Sequence, residues 1–381
     1  MRDTAMQTAR PPLHIIHVVR QFEPSRGGLE DFVKCLSRQQ MLEGHRVEIL
    51  TLNREFQSPD VELAATDEAH GIRITRVGFV GSPTYFIASG VLGKIAGADI
   101  VHVHATDFFF DFLALCRPLI KARLVCTTHG GFFHTGRLLA LKKLWFATLT
   151  RLFLHAYDGV VACSDSDYRR FVAYCGDRIA LIDNGVDIDK LLDSGSRRLT
   201  KTIVTLGRFS TNKQIPLLIE RFAELVADDP DWRLKICGVN SDSTAQEFET
   251  LAKTLGVHDQ ITIHVGLSDA GIRDALSDAS FFVSASRYEG FGLAAVEAMS
   301  AGLHPILQAN DAFKALAAKH PAVRIIDFAS PKSLSASARQ AHHDISPSYA
   351  RRVRDVSDET SQYAWRKVAR SYEDIYDRTL A

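Results

Sequence analysis

Short runs of aliphatic and β-branched residues alternate with stretches of helical periodicity along the chain, and the pattern starts twice. That alternation is the mark of βαβ units and parallel sheets. Leu13–Val19 (LHIIHVV) reads as a buried strand. The loop RQFEPSRGG follows, and then a helix with Leu29, Phe32, Val33 and Leu36 on one stripe and Gly44 as its stop. Further strands are expected at Val47–Leu52, Ile72–Val77, Ile100–His104, Leu124–Thr128, Gly159–Cys163 and Ile179–Ile182.

Asn184 to Lys201 is polar, turn-rich and without an apolar face, so it reads as a linker. Beyond it the grammar restarts with TIVTLG, a helix over Ile215–Val226, WRLKICG, QITIHVG, ASFFVSAS, the helix LAAVEAMSAG, HPIL and RIID. Tyr349 to Leu380 reads as helical and amphipathic. The expected fold class is α/β, with two Rossmann-like domains at 1–190 and 191–360. A ligand cleft is expected between the carboxyl ends of their strands.

Composition narrows the function classes. Lys+Arg 45 balance Asp+Glu 45, so no global basic field points to nucleic acid. The 6 cysteines are dispersed without a CxxC pair, which fits a reducing compartment. No apolar h-region opens the chain, and no apolar run reaches the ~18 residues of a membrane span. The expectation is a cytoplasmic protein.

Ser286–Gly302 (SRYEGFGLAAVEAMSAG) carries the most information. A strand runs into a Gly-rich turn and a helix begins near Gly292, whose first amides suit a phosphate. Glu289 precedes that helix and Glu297 lies inside it. A carboxylate can accept two hydrogen bonds from a diol, as sugars and ribose present.

With this string, PSRGG, THGGFFHT, DNGVD and LGRFSTNK, the chain resembles the retaining glycosyltransferases of family four, which have the GT-B fold. The resemblance runs nearly full length. HVVRQFEPSRGGLE, HGGFFHT and LWFATLTR place it nearest the mannosyltransferases of exopolysaccharide assembly. It implies transfer of mannose from GDP-mannose to a cellobiosyl-diphosphopolyprenol acceptor, with retention, an acceptor-binding first domain, a donor-binding second, and a terminal helix (361–381) crossing back to the first.

By matching, Gly27 and Gly28 let backbone approach the donor diphosphate, and Arg208 and Lys213 clamp it. Glu297 holds the ribose and Glu289 contacts the sugar. Gly290, Phe291, Gly292 and Leu293 complete the donor site, and His129 faces the sugar. Arg208, Lys213, His129 and Glu289 are the expected catalytic residues. The family pattern offers no carboxylate pair for double displacement. It implies front-side substitution in which the departing phosphate takes the acceptor's proton.

No cofactor beyond the donor substrate is expected, and no catalytic metal. Asp165-Ser166-Asp167 matches a DxD motif, but Ser164 and Asp167 read as a helix cap. Asp187-Ile188-Asp189 lies in the linker. His102 and His104 share one strand face, a weak metal signal. Phe108-Phe109-Phe110 reads equally as acceptor tunnel or core turn, and Asp107 as a possible hold on an acceptor hydroxyl.

Phe112–Tyr157 contains no Asp or Glu and holds Arg117, Lys121, Arg123, Arg137, Lys142, Lys143 and Arg151. A helix is expected over Arg137–His155. Leu138, Leu141, Trp145, Leu149 and Leu152 would face the core. Leu139, Phe146 and Phe153, beside Lys142 and Lys143, would face an anionic membrane surface through the Arg137–Arg151 region. The expected location is the inner face of the cell membrane, with a lipid-linked oligosaccharide as acceptor. The alternatives are a same-fold transferase using a UDP-sugar, a sugar-nucleotide epimerase, and a non-catalytic binding protein.

Overall fold

The computed structural model describes residues 11–82, 85–129 and 146–381. They form two compact units, Met1–Gly185 with Trp365–Ala381, and Val186–Ala364. Val186–Lys190, assigned from the sequence to the first domain, therefore belongs with the second unit.

The first unit contains β1 (His14–Val18), β2 (Arg46–Leu52), β3 (Thr66–Ala69), β4 (Ile72–Val77), β5 (Phe79–Ser82), β6 (Tyr85–Ala88), β7 (Ile100–His104), β8 (Arg123–Thr127), β9 (Gly159–Ala162) and β10 (Ile179–Leu181). Eight of them make one sheet in the order β10-β9-β8-β7-β1-β2-β4-β3, parallel except for β3 against β4. β5 and β6 pair separately as an antiparallel hairpin. The period-2 alternation of strand side chains splits the interior into two faces. Ile16, Val18, Val101, Val103, Leu124 and Cys126 pack on one. Ile15, Val19, Ile100 and Val125 pack on the other, with helix Gly28–Leu42 and Val368, Tyr372, Ile375 and Tyr376 of helix Trp365–Leu380.

The second unit contains β11 (Thr202–Phe209), β12 (Arg233–Asn240), β13 (Ile261–Val265), β14 (Phe281–Ser284), β15 (His304–Gln308) and β16 (Arg324–Ile326). Their order is β13-β12-β11-β14-β15-β16, all parallel. Ile203, Ile236, Phe281 and Ile306 face helix Ile215–Asp228, and Val204, Cys237, Phe282 and Leu307 face helix Leu293–Ser300.

Three expectations change. The stretch from Tyr349 is two helices, Tyr349–Glu359 and Trp365–Leu380, separated by a 3-10 turn and by Ala364 in extended backbone. Phe108–Phe110 are neither tunnel nor turn, because helix Phe108–Leu115 buries all three in the core.

The third concerns the helix expected over Arg137–His155. Its first part, with Arg137, Leu138, Leu139, Leu141, Lys142, Lys143 and Trp145, lies outside the described residues. The remainder is a π-helical turn (Phe146–Thr150), a short α-turn (Arg151–Phe153) and a 3-10 turn (Leu154–Ala156). Phe153, placed on the membrane stripe, is 7% exposed, and Leu152, placed on the core stripe, is 64% exposed. A π-turn takes more residues per turn than an α-turn, so extrapolating 100° per residue through it rotates the wrong side chains inward.

Helix Trp365–Leu380 contributes Ile375 to the buried face at 2% exposure. Ile375→Ala should cost about 2–5 kcal/mol, seen as an earlier first transition in urea unfolding followed by near-UV circular dichroism. A transition coinciding with wild type would refute the packing role.

Candidate active site

In the second unit the site grows from the ladder between β11 and β12. Gly207 pairs with Gly238 and Arg208 with Val239. A Cβ on Gly238 would lie 1.9 Å from the Gly207 carbonyl oxygen, so only glycine permits this approach. Beyond it, Thr211–Lys213 forms a 3-10 turn.

β14 neighbours β11, and its following loop meets that turn. Asn212 fastens the two together. Its Nδ2 donates to the Tyr288 carbonyl at 2.9 Å, its Oδ1 accepts from Tyr288 N at 3.1 Å, and its carbonyl accepts from Arg287 N at 3.0 Å. The result is an ion pair of Lys213 Nζ with Glu289 Oε1 at 2.6 Å, both half-buried.

Helix Leu293–Ser300 then starts without a side-chain cap. Its N-cap, Gly292, has φ 92°, and a Cβ there would meet the Phe313 ring at 2.8 Å. The first amides of an uncapped helix are open to an anion. Leu293 is exposed at that first turn and Gly290 stands in open space. Phe291 instead packs edge-on against Tyr363, 5.4 Å between centroids, so the turn offers its backbone there.

Gly207, Arg208, Gly238, Ala294, Glu297 and Lys190 line one cavity of ≈ 270 Å³. Arg208 is exposed and makes no ion pair among the described residues. Burial raises the Glu297 carboxyl above its ordinary value; the attraction of Lys190 opposes this, and Asp187 and Asp269 add to it. Burial pulls Lys190 down, but Glu297 and Asp269, the latter at 3.2 Å, overcome it and leave the ammonium above its usual value. Lys190 and Asn212 were missed in the sequence. Lys190 falls within the polar Asn184–Lys201 stretch that reads as a linker, and Asn212 carries no charge to mark it between Arg208 and Lys213.

In the first unit Gly27 is the N-cap of helix Gly28–Leu42, in extended backbone, and a Cβ on it would lie 2.5 Å from Glu30 Oε2. Gly28 is open. His129 follows β8 with φ 49°, its Nε2 3.0 Å from His104 Nδ1. Burial pushes its imidazole down to about 3.

His17, also missed, joins His102 and His104, all three buried. All six of their ring nitrogens lie within hydrogen-bond distance of protein partners, so a metal there would have to break that network. Asp165–Asp167 is structural, with Ser164 capping the helix and Asp167 accepting from Thr128 Oγ1 at 2.8 Å. Asp107 caps helix Phe108–Leu115 through Phe109 N. Its Oδ2 is buried without a hydrogen-bond partner among the described residues, and burial lifts its carboxyl to about 7 despite the attraction of Arg20.

Two family models match the chain, "Glycosyltransferase Family 4" over residues 26–190 and "Glycosyl transferases group 1" over 193–355. The chain is 40% identical over 374 residues to the GDP-mannose:cellobiosyl-diphosphopolyprenol alpha-mannosyltransferase of Komagataeibacter xylinus, covering 97% of this chain and 94% of that protein. It is 40% identical to the protein of the same description from Xanthomonas campestris, with 97% of each covered. The chain belongs to glycosyltransferase family 4.

Sucrose-phosphate synthase from Thermosynechococcus elongatus shares the transferase's fold, with a TM-score of 0.71 at 17% identity over 97% of this chain and 99% of that one. The fold is GT-B. No helix among the described residues is long and apolar enough to cross a membrane.

Glu297 is held charged against its burial, so a neutral isostere relieves that cost while removing an acceptor. Glu297→Gln should unfold at the same or a higher temperature at pH 7. It should bind a nucleoside diphosphate about 10- to 100-fold more weakly, since hydrogen bonds to charged groups contribute ~1.5–3 kcal/mol. Thermal shift and calorimetric titration check this, and undiminished affinity would remove Glu297 from the site.

Proposed function

We propose that this transferase moves mannose from GDP-mannose to a polyprenyl-diphosphate-linked oligosaccharide during exopolysaccharide assembly, retaining the anomeric configuration. Its relatives at 40% identity are described by that donor and a cellobiosyl-diphosphopolyprenol acceptor. The observation that carries the reading is the pair of cations just past the glycine ladder. Arg208 is unpaired among the described residues, and Lys213 is held by an acid that a diphosphate can displace.

When the glycosidic bond breaks, negative charge grows on the departing diphosphate. Arg208, Lys213 and the amides at Gly292–Leu293 meet it with fixed positive charge. Lys213 swinging to the phosphate frees Glu289 to accept from sugar hydroxyls, while Glu297 accepts from the ribose. Cations and helix amides take the charge-neutralising role, so the reaction proceeds without a divalent metal. The second unit takes the donor and the first takes the acceptor, with His129 of the first directed at a sugar.

The direct test is incubation with GDP-[14C]mannose and cellobiosyl-diphosphoprenol, with and without EDTA, followed by product analysis. Label in the lipid-linked trisaccharide, unaffected by chelation, is expected. An epimerised donor without transfer, or transfer from a UDP-sugar in its place, would overturn the reading. Lys213→Ala should lower turnover by about 10²–10³, and wild-type turnover would remove its role.

A lipid-linked acceptor supports a peripheral position of the enzyme on the inner face of the membrane. Leu115 and Leu119 are exposed beside Arg117, and Leu152 is exposed on a turn packed against helix Phe108–Leu115, all in the stretch without acids. Anionic liposomes should float wild type and leave Lys142→Glu/Lys143→Glu behind. Equal flotation would end the membrane assignment.

A further inference from the structure

The proposed function directs His129 toward the sugar, and the inference rests on that reading. Side chains two apart on a strand share a face. His17 of β1, His102 and His104 of β7 and Thr127 of β8 therefore all project beneath helices Gly28–Leu42 and Trp365–Leu380. A continuous chain of hydrogen bonds results. His129 Nε2 is 3.0 Å from His104 Nδ1, His104 Nε2 is 2.8 Å from His17 Nδ1, and His17 Nε2 is 2.7 Å from Gln40 Oε1. Gln40 Nε2 donates to the Tyr376 hydroxyl at 3.0 Å, and that hydroxyl lies 2.8 Å from His102 Nδ1.

Each link needs one donor and one acceptor, and a neutral imidazole offers one of each. The Gln40 carbonyl only accepts, so His17 carries its proton on Nε2 and turns a bare Nδ1 to His104. His104 must then donate from Nε2 and present a bare Nδ1. His129 must donate from Nε2 in its turn. The branch obeys the same logic: Tyr376, already accepting from Gln40, donates to His102 Nδ1, and His102 donates from Nε2 to Thr127 Oγ1 at 2.8 Å.

Burial keeps the rings neutral, pushing His17 to about 4 and His102 and His104 well below the usual imidazole value. Phe32 meets the His129 ring edge-on at 4.7 Å. His129 Nδ1 has no hydrogen-bond partner among the described residues.

We propose that Gln40, His17 and His104 are positioning residues that lock His129 in the Nε2–H tautomer, so that it meets the sugar with Nδ1 as an acceptor. In that state His129 takes a hydrogen bond from a sugar hydroxyl. It has no proton to offer a phosphate or ring oxygen.

Imidazole 15N shifts of the full-length, 15N-histidine-labelled protein without ligand read the tautomers directly. The expected result is protonated Nε2 and bare Nδ1 at His17, His102, His104 and His129. A proton on His129 Nδ1 would overturn the assignment, and would mean that the Gln40 amide faces the other way and the relay runs reversed. In His17→Phe, the Nδ1–H form of His129 should appear. The kcat for mannosyl transfer should fall by about an order of magnitude at nearly constant donor KM. An unchanged His129 spectrum in that variant would also overturn the proposal.

The spectrum needs no transfer, so the two readings fail separately. The expected tautomer without transfer sinks the function alone, and transfer with Nδ1–H at His129 sinks the relay alone.

Discussion

Parallel strands cannot be joined by hairpins, so each needs a crossover, and every loop that follows a strand emerges on the same edge of the sheet. The site in the second unit is a consequence of this constraint. β11 and β14 are neighbours in the sheet. Their following loops are therefore neighbours too, and Lys213 and Glu289, 76 residues apart in sequence, close to 2.6 Å. The Gly207–Gly238 pair lets the sheet reach that edge without side chains in the way, and Asn212 ties the loops where the sheet delivers them. The position of Arg208 and Lys213 thus follows from strand order as much as from the loops' own composition.

The same constraint operates in the first unit with a polar outcome. The carboxyl ends of β1, β7 and β8 bring three imidazoles and a threonine together below the surface. Buried polar groups without partners cost free energy that packing alone does not recover. Helix Gly28–Leu42 supplies Gln40, and the terminal helix supplies the Tyr372 and Tyr376 hydroxyls, the latter 274 residues from its His102 partner. His45 and Glu373 add a further buried pair across the same interface at 2.9 Å. An apolar helix of equal area would cover the sheet but leave these imidazoles unsatisfied. The terminal helix is therefore specified by its hydroxyls and carboxylate as well as by Ile375 and Val368.

Much of this was legible because period-2 and period-3.6 patterns are local. LHIIHVV, IVHVH and TIVTLG identify their strands within two residues of the observed limits. The string RYEGFGLAAVEAM contains both the turn and the helix it starts. What stayed hidden depends on which elements become neighbours. His17 shares a face with His102 only because β1 lies beside β7, an adjacency that no window of sequence contains. Lys190 reads as linker until helix Leu293–Ser300 brings Glu297 to it. Leu152 and Phe153 were exchanged because a π-turn broke the period used to place them. The short β3 and the β5–β6 hairpin carry too little periodicity to separate from loop.

On the proposed donor reading, charge balance lets the site wait for a donor without attracting every anion. Over the chain, acids and bases cancel at 45 each. The cancellation recurs locally, with Lys213 against Glu289 and Lys190 against Asp269 and Glu297. Arg208 alone of the predicted site cations is left without an acid among the described residues. A single phosphate meets one free arginine and an uncapped helix. Engaging Lys213 as well requires a group that reaches the glycine ladder and the turn together and repays the broken Glu289 pair. In the proposed donor complex a diphosphate carrying a sugar does both, because its second phosphate draws the ammonium while the sugar's hydroxyls satisfy the released carboxylate. On the proposed reading, discrimination between phosphate and sugar-diphosphate lies in the Lys213–Glu289 ion pair, which a complete donor exchanges for contacts of both partners.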